Sequence, residues 1–126
     1  MKPEIEEALE ELKECFPDSE VVSVGIEDGG VFVSIDPVDP GPAYVQQETW
    51  LKFAISFQYP SADVYPLFVR PDLARVDDGE HGEGFSRAEF NGEAALQLSR
   101  RSNRLNPAID TACLKVNKVL AWMRAQ

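Results

Sequence analysis

The sequence holds one histidine and two cysteines, and neither Cys15 nor Cys113 has a CxxC neighbour. That is too little for a structural zinc site. Positive charge is also scarce: 12 Lys and Arg stand against 22 Asp and Glu, a net charge of −10. Such a chain repels phosphates, so neither nucleic acid nor a membrane is an expected partner. No apolar run reaches the roughly 18 residues that a spanning helix needs. The opening Lys2, Glu4, Glu6 and Glu7 contain no apolar signal core. A cytoplasmic location with reduced thiols is therefore expected, and no cofactor or metal.

What is present is 126 residues, 44% of them hydrophobic. Residues 1–126 are read as a single domain, large enough to bury a core without a metal or disulfide staple. Ile5, Ala8, Leu9, Leu12, Cys15 and Phe16 recur at helical spacing opposite a glutamate-rich face, which predicts a helix over 3–16 stopped by Pro17. Val22, Val24 and Ile26 alternate, as do Val31, Val33 and Ile35, with Asp28-Gly29-Gly30 between them as hairpin chemistry. Residues 36–49, with Pro37, Pro40, Gly41 and Pro42, read as a loop. Leu51, Phe53, Ile55 and Phe57 predict a third strand; Tyr65, Leu67 and Val69 predict a fourth. The acidic stretch from Asp77 to Gly84 reads as a mobile loop and 85–105 as irregular. Asn106-Pro107 reads as an N-cap and first turn, with Ile109, Ala112, Cys113, Val116, Val119, Leu120 and Met123 forming the stripe of a helix over 107–124. The expectation is α+β: two helices packed on a four-stranded antiparallel meander.

Three segments in this order resemble the ubiquitin-conjugating-enzyme family. They are Gly41-Pro42-Ala43-Tyr44 leading into a strand, Tyr59-Pro60 with Pro66 and Pro71 behind it, and Asn106-Pro107-Ala108-Ile109. Gly92 lies where the family's glycine precedes the active-site strand, and the likeness covers about residues 2–124. It implies a UBC-like or RWD-like fold, with an irregular active-site segment before the last helix. It also implies a ubiquitin-like modifier and an activating enzyme as partners. The departures are functional. Ala95 stands where the resemblance puts the catalytic cysteine, Phe85-Ser86-Arg87 replaces the His-Pro-Asn motif, and Leu105 replaces a tryptophan. The first helix is acidic where family members use a basic one.

Two function classes follow. The first is a minimal bacterial form that carries a ubiquitin-like modifier on a serine as an oxyester, in a ubiquitination-like pathway of the kind linked to phage defence. Its candidates are Ser99, then Ser102, with Arg100, Arg101 and Asn103 as oxyanion donors and no base identified. The second is a catalytically inactive binding module that scaffolds a modifier or its activating enzyme; there 97–103 is an ordinary polar loop. Cys15 and Cys113 lie on helical stripes and read as inert buried thiols. His81, among Asp77, Asp78, Glu80 and Glu83, reads as a solvated loop histidine. Trp122 lies off its helix stripe and reads either as a partner contact or as edge packing on the sheet.

Overall fold

The computed structural model describes residues 2–102 and 104–126. Pro3 opens helix α1 (Pro3–Cys15) in its first turn, where a missing N–H leaves no bond unmade. Ile5, Ala8, Leu9 and Leu12 are buried as the stripe requires. The Phe16 N–H closes the helix on the Leu12 carbonyl, and Pro17 cannot extend it.

Strands β1 (Glu20–Gly25) and β2 (Val31–Val38) form the expected hairpin. Its turn is set by the Asp28 carboxylate, which accepts the Gly30 N–H at 2.9 Å, and by Gly29 at φ 93°. The expected loop at 36–49 is corrected at both ends, because β2 continues through Pro37 to pair Val38 with Thr49. A register shift between Ile35 and Val38 spares the ladder the N–H that proline lacks. Strand β3 (Thr49–Ile55) ends before Phe57, which is exposed. Strand β4 is only Leu67–Val69.

The larger correction concerns residues 85–105. Their first part is a second hairpin, β5 (Phe85–Phe90) with β6 (Glu93–Leu98), in register from Phe85↔Leu98 to Phe90↔Glu93. Asn91 and Gly92 both have positive φ, 50° and 84°, as a two-residue hairpin turn demands. The Asn91-Gly92 pair was the signal for it. β6 pairs with β4, so the antiparallel sheet has six strands in the order β1-β2-β3-β4-β6-β5, in place of a four-stranded meander.

Helix α2 (Ala112–Arg124) starts five residues later than Pro107 would have it. Thr111 is its N-cap, accepting the Leu114 N–H at 3.3 Å. Asn106 instead caps a separate turn, accepting the Ala108 N–H with its side chain. Ile109 in that turn is exposed and not part of the core stripe.

Both helices contribute to one core with the sheet: Ile5 and Leu12, Leu51 and Phe53, Leu98, and Val116 and Met123 belong to a single buried cluster. Each such side chain contributes about 1.5–3 kcal/mol by leaving water. Two tyrosines hold the ends of α2. Tyr59 accepts the Ala112 N–H at 3.0 Å, and Tyr44 donates to the Met123 carbonyl at 2.9 Å. Burial pushes both phenols above their usual pKa.

Candidate functional site

After β6 the chain runs along α2 and brings Ser102 beside Lys115. Lys115 lies among the buried positions of its helix and is only 6% exposed. A buried ammonium needs partners for its N–H groups. Here its Nζ lies 3.0 and 3.2 Å from the two carboxylate oxygens of Asp63, 2.6 Å from the Arg100 carbonyl and 3.1 Å from Ser102 Oγ. Asp63, in the loop before β4, also accepts the Ser102 N–H and the Ser102 hydroxyl, each at 2.8 Å. Burial pushes the Asp63 carboxyl up. The Ser102 amide, Lys115 and the Ser102 hydroxyl outweigh that and hold it below its usual range.

The two arginines flanking this cluster are laid on aromatic faces. The Arg100 guanidinium is 5.0 Å from the Trp122 ring centre, and that of Arg101 is 4.1 Å from the Tyr65 ring centre. Both arginines are exposed. With Lys115, Lys118 and Ser102 they line an open cleft of about 260 Å³ over Trp122. Among the described residues no carboxylate pairs with Arg100 or Arg101, whereas Arg70 and Arg75 are paired with Asp72 and Asp77.

The sequence candidates thus divide. Ser102, Arg100 and Arg101 come together. Ser99 belongs to another network: its N–H bonds to the Gly84 carbonyl at 2.7 Å and its hydroxyl accepts from the Gln97 amide at 3.0 Å. Asn103 lies outside the described residues. Ala95 is buried in the middle of β6, at 2% exposure, so a side chain there does not face solvent. Asp63 and Lys115 were missed. The signal for Lys115 was a lysine three residues after Ala112 and four before Val119, on an apolar helix face, where a cation requires a counter-charge. Nothing local marked Asp63, which is 52 residues away.

Two further readings are corrected. Cys15 and Cys113 are not free thiols: they form a disulfide linking α1 to α2. Glu11 lies beside the sulfurs, but a disulfide presents no thiolate to a metal, and Glu11 accepts the Thr111 hydroxyl at 2.8 Å. His81 is not a solvated loop residue. Its Nε2 lies 2.7 Å from the Leu73 carbonyl, and its ring stacks on Phe85 at 4.7 Å. Phe85 in turn stacks on Trp122 at 5.0 Å. Trp122 therefore packs at the sheet edge on one side and supports Arg100 on the other.

No protein-family model, curated protein or solved structure matches this chain. Among the described residues no helix is long and apolar enough to cross a membrane.

Proposed function

We propose that this chain is a ubiquitin-conjugating-enzyme-like domain that works by docking and does not carry a modifier on its own side chain. The order of helix, antiparallel strands and a final helix supports the family reading. The observation that carries the docking reading is the state of Ser102. Its hydroxyl donates to Asp63 and lies against the Lys115 ammonium. A carboxylate held below its usual range is a weak base, and an ammonium cannot take a proton at all. Ser102 is thereby positioned but not activated. The partners in this reading are a ubiquitin-like modifier and its activating enzyme.

A second reading keeps Ser102 as the oxyester nucleophile, because its Oγ lies 2.8 Å from a carboxylate oxygen. In that reading Ser102 attacks the activated carboxyl carbon of the modifier, Asp63 takes the hydroxyl proton, and the activating enzyme's leaving group departs. Intact-mass measurement separates the two. The protein is incubated with a ubiquitin-like modifier, its activating enzyme and ATP, and binding is followed in parallel by co-elution. The docking reading expects a complex without a covalent adduct. An adduct that resists thiol reductant, yields to hydroxylamine and disappears in Ser102→Ala overturns it in favour of the carrier.

A further inference from the structure

The cleft beside Ser102 is cationic on a protein of net charge −10. Most of the Coulomb field of this surface repels anions, so a local patch that attracts them must be built by specific contacts. Lys115 is neutralised by Asp63 at 3.0 Å, and Lys118 lies 3.6 Å from Asp110. Arg100 and Arg101 are the exposed cations left over among the described lining residues. Each guanidinium centre lies over an aromatic ring, which restricts it, while the residue stays exposed to solvent. An ordered, planar donor edge is the geometry that binds a carboxylate through two parallel hydrogen bonds.

From this geometry we infer that the cleft is a docking site for an extended acidic peptide segment of a protein partner, recognised through two side-chain carboxylates. The two guanidinium groups rest on two different supports, Trp122 on α2 and Tyr65 before β4. That arrangement offers two separate forks and suits two carboxylates spaced along a chain better than one compact anion. The support on one side is deep: Gly84 leaves no room for a Cβ, which would lie 2.8 Å from the Trp122 ring, so the indole is seated directly on the backbone. Phe85 stacks behind it. The Arg100 carbonyl is tied to Lys115, so the cleft floor is fixed before any ligand arrives.

This inference deepens the docking reading by naming the chemistry of the partner, and its test is independent of any modifier or activating enzyme. The full chain is titrated into a fluorescein-labelled peptide of alternating glutamate and glycine at low salt, and anisotropy is read. A lysine–glycine peptide is the control, and inorganic phosphate the competitor. Saturable binding of the acidic peptide alone is expected, weakening with salt. Arg100→Gln and Arg101→Gln, checked for native circular dichroism, should each reduce affinity by about tenfold, as expected for loss of one charged hydrogen-bonded pair. Arg87→Gln, on exposed β5, should leave it unchanged. Equal loss in Arg87→Gln, no loss in either cleft variant, or no binding overturns the site. Displacement by phosphate at the same concentration as by unlabelled peptide overturns the peptide as occupant. So does a concentration-dependent dimer in sedimentation that the two cleft variants abolish, because the acidic α1 of a second copy would then be the ligand. If the peptide binds but no modifier or activating enzyme ever co-elutes, the cleft stands and the family-level function falls.

Discussion

The ammonium of Lys115 sits 3.0 Å from Asp63, joining α2 to the loop before β4 across 52 residues of sequence. Asp63 is bound in addition by the Ser102 amide and hydroxyl. Replacing it with asparagine leaves a buried ammonium with weaker acceptors and should cost about 1–3 kcal/mol. The pH dependence has a definite sign. Asp63 titrates lower in the folded protein than in the unfolded chain, so its contribution is fully present above the unfolded carboxyl pKa. It is lost as pH falls through the lower folded value. Urea unfolding of wild type and Asp63→Asn should therefore differ most near neutrality and converge in acid. A constant difference down to low pH would contradict this account.

The disulfide between Cys15 and Cys113 closes a loop with a sequence separation of 98 residues. Removing such a link typically costs about 2–4 kcal/mol. Cys15→Ala, or reduction of the wild type, should lower Tm, and reductant should have no further effect on the variant. Thiol titration of the denatured, unreduced protein should find no free sulfhydryl. Full labelling without reductant would restore the reduced-thiol expectation.

Tyr59 supplies the acceptor for the Ala112 N–H at the first turn of α2. Tyr59→Phe keeps the ring in place and deletes only that oxygen. A buried amide left without an acceptor costs about 1–3 kcal/mol. Hydrogen exchange should quicken at the start of α2 and stay unchanged at its C-terminal end, where Tyr44 holds Met123. Uniform acceleration along the helix would mean that Tyr59 acts through global stability alone.

Gly84 has φ 93° and faces Trp122 with no room for a side chain. Gly84→Ala must push the indole aside, which should destabilise by about 1–3 kcal/mol and shift the tryptophan emission. Acidic-peptide binding in the cleft should weaken in parallel, because Arg100 loses its support. Unaltered emission would show that the indole does not rest on this backbone.

Ser99 and Ser102 should behave differently when each is replaced by alanine. Ser102→Ala removes a donor to Asp63 and is expected to weaken the protein by about 1 kcal/mol. Ser99→Ala loses only a part-buried contact with Gln97 and should be near neutral, since the backbone bond of Ser99 to Gly84 does not involve its side chain. Chemical denaturation of the two variants checks the order.

The elements legible in the sequence are those whose signal is local. Periods of 3.6 and 2 placed α1, β2 and most of β3, because burial of one face imposes that repeat on the residues. The same alternation placed β1, but there Val22 and Val24 are exposed and Val21 packs against the core. The β5–β6 hairpin was also written locally, in Asn91-Gly92, but its strands carry Ser86, Arg87, Glu89 and Gln97, which blur the alternation that marks a half-buried strand. The start of α2 was read at Asn106-Pro107, and the structure starts it after Thr111, where Tyr59 accepts the Ala112 N–H. Pairing β6 with β4, and so a six-stranded sheet, was decided by tertiary contact between segments about 30 residues apart. The same holds for the Cys15–Cys113 bond and for the Asp63–Ser102–Lys115 cluster. Sequence marked the two serines and the arginines and ranked Ser99 ahead of Ser102, whereas the tertiary cluster is built around Ser102. A hydroxyl's chemistry is set by what stands within hydrogen-bond reach of it, and here those neighbours arrive from a distant loop and a later helix.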